Sequence, residues 1–204
     1  TAPIISGNVS FYNETKNKNI SPTPSTGLVG LRQSISDIPQ AQFTSAGQDV
    51  YTLTWGESWT NGMLAEMRDE KPAGYFEPEM KNFTEFVKLV TEIGAGNMVQ
   101  TARVVSKFGL LYTLARMSMN GNGAQVTTEQ DPFIEPLYQV VYATNKGADL
   151  EKFVAQHTLG NVKLVKIGKT QSSSLDWNKV NMSSNDISSN YKKSWEANFE
   201  VLAR

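Results

Sequence analysis

Between residues 49 and 170 the apolar residues of this chain change period repeatedly, from every second position to every third or fourth and back. A chain so patterned must lay helices against a sheet, because each element has one greasy side to bury. The segment "DVYTLTW" (49–55) carries Val50, Tyr51, Leu53 and Trp55 densely enough for a buried strand. Residues 61–70 predict a short helix that ends before Pro72. Residues 79–93 repeat Met80, Phe83, Val87, Val90 and Ile93 at helical steps, with Gly94 as a stop signal. Strands follow at 98–106, 124–127, 135–144 and 162–170, and helices at 108–119 and 148–158. The tract at 171–190 reads as a surface loop with a short strand around Leu175 and Trp177, before a last helix that places Trp195, Phe199 and Leu202 on one side. The class is α+β, a mixed sheet covered by helices.

Composition narrows the function classes. The chain has 204 residues of which 39% are hydrophobic, enough for one well-packed core. Lysine and arginine number 19 against 20 acidic residues, with no sustained basic run, so nucleic acid is not the expected partner. The absence of cysteine excludes a disulfide framework, a thiolate nucleophile and a cysteine-type zinc site. No stretch reaches the roughly 18–20 apolar residues of a membrane span, and no signal-peptide order opens the chain. The expectation is a soluble, cytoplasmic protein. Asn-x-Ser/Thr triplets at Asn8, Asn13, Asn19, Asn82 and Asn181 are what a chain rich in those residues produces by chance.

The opening differs in character from the rest. "SGNVSFYNETKNKNISPTPSTGLVGL" (6–31) packs small, amide and carboxylate side chains into one run, adds a Pro-x-Pro connector, and turns apolar at 26–31 as for a first strand. Gly7, Asn8, Ser10, Asn13 and Glu14 read as a ligand-facing loop that touches nucleotide, substrate phosphate or metal, with Glu14 as the metal candidate; the alternative is a polar turn bonded to itself. Pro3, Ile4 and Ile5 look like a strand whose partners belong to a domain outside this sequence.

These residues carry a family resemblance. "SGNVSFYNET" (6–15) and "ISPTPSTGLVGL" (20–31) resemble the Gly-Asn-Val-Ser-x-Tyr-Asn-Glu run and the Pro-Thr-Pro connector of the AIR-synthase-type superfamily, and within it of the phosphoribosylformylglycinamidine (FGAM) synthase synthetase subunit. "VYTLTWGESW", "TARVVSKFGLLYTLARMSMNGNGAQV" and "EPLYQVVYAT" are similar to later family segments in the same order. The resemblance implies that residues 1–25 are the last strand, ligand loop and connector of a ferredoxin-like N-terminal-type domain, and that 26–204 are an AIR-synthase C-terminal-type domain. It further implies an ATP-dependent ligase of purine biosynthesis that uses magnesium, the missing N-terminal domains and a glutaminase subunit or domain. Taken alone, the chain is expected to be inert.

Departures from the family's Asp-Val-Ser-Asp-Gly-Gly run bear on that expectation. Its two aspartates are replaced by Val104 and Lys107, the preceding histidine by Arg103, and the first glycine by Phe108, with Gly109 kept. Lost carboxylates remove metal ligands, and a phenylalanine blocks the approach of phosphate to a helix start. Arg103 and Lys107 are candidate anion contacts in their place. Two rival readings follow, a degenerate scaffold or interaction domain of the same superfamily, and a secreted ligand-binding domain. The second leans on Trp55 and Trp59 as a stacking platform. Elsewhere the plain reading is preferred: His157 is a capping or surface residue, Glu57, Glu66, Asp69 and Glu70 form a solvated face, and Met63, Met67, Met80, Met98, Met117 and Met119 fill the core.

Overall fold

The computed structural model describes residues 3–7, 14–20, 25–27, 29–31, 38–56, 59–60, 62–70, 79–136 and 138–202. The chain divides into two compact units, Thr1–Ile35 and Ser36–Arg204.

The first unit holds a two-residue hairpin, β1 (Glu14–Thr15) against β2 (Lys18–Asn19). Lys16 and Asn17 at its turn both have positive φ, 51° and 59°, the conformation whose twist suits a tight hairpin. Residues 3–7 form no ladder within the unit's described residues, and Ile4 and Ile5 are exposed; the strand expected there takes its partners from a domain outside this sequence. The expected strand at 26–31 is likewise absent among its described residues, with Val29 and Leu31 in solvent; Leu28 lies outside the described residues.

The second unit is an α/β sandwich. Its elements run β3 (Asp49–Trp55), β4 (Trp59–Thr60), α1 (Gly62–Met67), α2 (Met80–Ala95), β5 (Thr101–Val104), α3 (Gly109–Met117), β6 (Asn122–Val126), β7 (Glu135–Pro136), β8 (Gln139–Thr144), α4 (Gly147–Ala155), β9 (Val162–Ser172), β10 (Ser174–Trp177), β11 (Val180–Ser183) and α5 (Ser184–Leu202). Seven strands form one mixed sheet in the order β11-β10-β6-β9-β3-β8-β5, antiparallel except where β10 meets β6; β4 and β7 pair separately. β3 lies near the centre, hydrogen-bonded to β8 on one side and β9 on the other. Because β3 and β8 are covered on both faces, they are apolar almost continuously.

The pleat sorts β3 between two cores. Val50 joins Val141, Ala143 and Ile167 beneath Leu110, Leu114 and Met117 of α3, together with Leu175 and Trp177. Tyr51, Leu53 and Trp55 point the other way and join Val140 and Tyr142 beneath Phe86, Leu89 and Ile93 of α2 and Leu150 of α4. Each such side chain removed from water stabilises the fold by about 1.5–3 kcal/mol.

Several expectations change here. The buried stripe of α2 is Phe86, Leu89 and Ile93, flanked by Phe83 and Val90, while Met80 and Val87 are exposed. Both stripes keep helical spacing; the choice went to the side where Trp55 stacks on Phe86 with centroids 5.9 Å apart. The single strand expected at 135–144 is two, because β7 leaves the main sheet to pair with β4. In the segment 171–190 the short strand expected around Leu175 and Trp177 is β10, while the residues expected as loop on either side complete β9, form β11 and begin α5. Met67 and Met80 are exposed and fill no core. Trp55 is buried against α2 and Tyr138, so it forms no open stacking platform. The side chains of Trp59, Phe199 and Leu202, and Glu57 altogether, lie outside the described residues.

Candidate functional site

The turn between β5 and α3 is where the sequence departures fall, and its geometry follows from one glycine and one glutamate. Gly109 opens α3 at φ 75°, a conformation that favours glycine, and a Cβ there would lie 2.6 Å from the Ile134 carbonyl oxygen and 2.7 Å from that of Pro132. The loop before β7 therefore presses directly on the helix start. Phe108 precedes it at φ 67°, a left-handed conformation that costs a bulky residue about 1–2 kcal/mol.

Glu135 at the head of β7 closes this arrangement. Its Oε1 accepts the Phe108 backbone N–H at 2.9 Å and the Met63 N–H of α1 at 3.2 Å. The Leu111 N–H donates to the Pro132 carbonyl at 3.1 Å, and the Gly109 N–H to Ser106 at 3.0 Å. Free N–H groups at a helix start attract anions. Here a carboxylate and two carbonyls of the chain itself occupy them, so this helix start does not suit a phosphate.

The two cations of the turn have different surroundings. Lys107 lines a cavity of about 600 Å³ with Glu66, Asp69, Glu70 and Glu135, so its neighbours there are carboxylates. Arg103 is half-buried on β5 and its Nη1 reaches the Ala41 carbonyl only at 3.5 Å. Burial, and then the nearby Arg116 guanidinium, lower its pKa from the usual arginine value. Among the described residues no cluster of three or more histidine, cysteine or acidic side chains could hold a metal ion. The residues at this turn therefore do not fit a magnesium-bound nucleotide.

Of the opening-loop candidates, Asn8, Ser10 and Asn13 lie outside the described residues; Gly7 and Glu14 are exposed in the first unit. His157 follows α4 and its Nδ1 accepts the Leu159 N–H at 3.3 Å, a local turn contact. Glu66, Asp69 and Glu70 are exposed. Sequence reasoning missed Glu135, which it read only as the first residue of a strand. No fixed spacing links a helix start to an acidic residue 27 positions later, so the contact became visible only in three dimensions.

A second concavity of about 640 Å³ opens over β3 and β9, lined by Thr52, Thr54, Lys163 and Val165. The buried Gln139 closes its floor, donating to Thr54 Oγ1 at 2.7 Å and exchanging amide hydrogen bonds with Gln130 at 2.9 and 3.0 Å. This buried amide has its partners within the chain, as core polar groups require.

No protein-family model matches the chain. Curated relatives do: the phosphoribosylformylglycinamidine synthase subunit PurL of Methanobrevibacter smithii is 30% identical over 155 residues, 72% of this chain and 21% of that protein. PurL of Lactobacillus delbrueckii subsp. bulgaricus is 33% identical over 131 residues, 62% of this chain and 18% of that protein. The chain thus spans about a fifth of the length of these relatives. Among solved structures, Thermotoga maritima PurL complexed with FGAR superimposes with a TM-score of 0.58 at 10% identity, over 76% of this chain and 30% of that one. The same protein has been solved with ATP, and as the assembly PurLQS. At that identity the structural likeness establishes the fold, while the sequence relatives supply the lineage. By sequence and fold together, the chain belongs to the FGAM-synthase synthetase type of AIR-synthase-like domains.

Proposed function

We propose that this chain is the C-terminal portion of an ATP-dependent FGAM synthase, the ligase that converts formylglycinamide ribonucleotide, ATP and ammonia or glutamine to the amidine. The observation that carries the reading is the collinear identity of 30–34% to PurL subunits across 128–155 residues. In this reading residues 1–25 belong to a ferredoxin-like N-terminal-type domain and 26–204 to the C-terminal-type domain. Gly7, Asn8, Ser10, Asn13 and Glu14 then contribute a polar loop to the ligand site of the complete enzyme. ATP and magnesium act in the complete enzyme, a glutaminase subunit supplies ammonia, and the setting is the cytoplasm. Among the described residues no helix is long and apolar enough to cross a membrane. Because the α3 start is filled by Glu135 and roofed by the loop of Pro132 and Ile134, no phosphate chemistry is assigned to it, and the isolated chain is inert.

Calorimetric titration with Mg-ATP, coupled to a phosphate-release assay with formylglycinamide ribonucleotide and ammonium, tests this. The isolated chain should show neither saturable heat nor substrate-dependent phosphate. Turnover by the chain alone would overturn its inertness. A second reading, a non-catalytic scaffold of the same superfamily, is favoured by Glu135 and by Phe108 at a helix start where the family resemblance implies glycine. It predicts that no turnover appears even when the other parts of the ligase are added.

A further inference from the structure

A concavity of about 700 Å³ lies between α3 and α5, with Phe108 of the β5–α3 turn in its wall. Phe108 and Tyr112 meet edge to face on the α3 side, centroids 5.3 Å apart, and Tyr191 and Trp195 line the α5 side. Arg116 lies between them, its guanidinium carbon 4.5 Å from the centroid of Tyr191 and 5.9 Å from that of Tyr112. Its Nη1 donates to the Tyr112 hydroxyl at 3.3 Å, so the cation is held in place by two rings.

Among the described residues this cation has no counter-charge. Arg103 on β5 is near enough for the two guanidiniums to repel, yet neither pairs with a carboxylate among the described residues, where ion pairs involve Lys88, Lys166 and Lys169. Each guanidinium carries five N–H donors in a planar fork, and the contacts within the chain engage one nitrogen of each. Two like charges brought together beside aromatic faces, without an acid between them, are an unfavourable arrangement that an anion relieves. The left-handed backbone of Phe108, which puts its ring in this wall, is a local cost of the kind that collects at binding sites.

We propose that the groove between α3 and α5 binds a small aromatic anion, a ring bearing a carboxylate or phosphate whose charge meets Arg116, in a positive field to which Arg103 adds, while the ring enters the space among Phe108, Tyr112, Tyr191 and Trp195. A bare anion would forgo the aromatic walls, and an uncharged ring would leave the guanidiniums unneutralised. The site does not depend on the ligase reading, since the residues that form it all belong to the second unit.

The test is an amide-resolved NMR titration of the full chain with phenyl phosphate, benzoate, inorganic phosphate and benzyl alcohol. At least one of the two aromatic anions should saturate shifts in residues 108–119 and 187–195, binding about tenfold more tightly than inorganic phosphate and benzyl alcohol. The better of the two identifies the head group. Arg116→Gln should weaken it about tenfold, and Arg116→Lys, which keeps the charge without the planar fork, by less. Lys88→Gln on α2 should leave it unchanged. If Arg116→Gln loses its folded spectrum, Arg103→Gln carries the same expectation. Absence of saturable shifts with both aromatic anions, equal binding of inorganic phosphate, or indifference of a folded arginine variant would each overturn the proposal.

Discussion

Glu135 ties two helices to a short strand through one carboxylate oxygen, and its removal would leave two backbone N–H groups short of their acceptor. Hydrogen bonds to a charged group are worth about 1.5–3 kcal/mol each, so Glu135→Ala should lower stability by at least that, and Glu135→Gln by less because an acceptor remains. Urea denaturation at unchanged slope measures both. Tyr142 offers the opposite case. Its hydroxyl is buried without a hydrogen-bond partner among the described residues, and burial pushes the phenol far above its ordinary pKa. Tyr142→Phe removes that unsatisfied group and should raise the melting temperature by about 2–4 °C, the shift that about 1 kcal/mol produces in a domain of this size. A fall would mean that the hydroxyl has a partner in solution.

At the scale of elements, α2 shows how far a periodicity can be trusted. Helical spacing marks an apolar face, but when Val87 and Phe86 both fit a stripe, only the facing surface decides. Trp55 and Tyr138 take Phe86, leaving Val87 at 44% exposure. Phe86→Ala should therefore cost about 3–5 kcal/mol and Val87→Ala less than about 0.5 kcal/mol in the same denaturation experiment. β3 and α3 were legible within a residue or two, because strong apolar runs are bounded there by turns. Of the β10–β11 hairpin only β10 was legible, through Leu175 and Trp177, which are buried; β11 at the sheet edge buries little and leaves little trace. β3 also carries a pH effect. Asp49 Oδ1 forms ion pairs with Lys166 at 2.9 Å and Lys169 at 3.0 Å, and the Lys166 contact leads in holding its carboxyl below the ordinary value of 3.8, against the opposing effect of burial. A pKa lowered by folding gives stability that is present above the unfolded value and lost as pH falls through the folded one. Asp49→Asn should therefore flatten the loss of stability below about pH 4. The change should stay under about 1 kcal/mol and shrink in salt, because both lysines are largely exposed.

For the whole molecule, family and fold could be read from the order of motifs, and the likeness to PurL holds both in sequence and in the mixed sheet. The candidate site was less accessible. Substitution of Val104, Lys107 and Phe108 for family residues signalled that the α3 start had changed, but not that Glu135 fills it or that the Arg116 guanidinium stands over the Tyr191 ring. Those facts depend on chain crossings that bring distant residues together. Reconstitution tests the proposal that this is an inert portion of a ligase whose chemistry needs the other domains. Phosphate release dependent on formylglycinamide ribonucleotide and ammonium would be measured for the remaining synthetase domains alone, for this chain alone, and for the two mixed. Release only in the mixture is the predicted result. Release by this chain alone, or an equal rate with and without it, would contradict the claim.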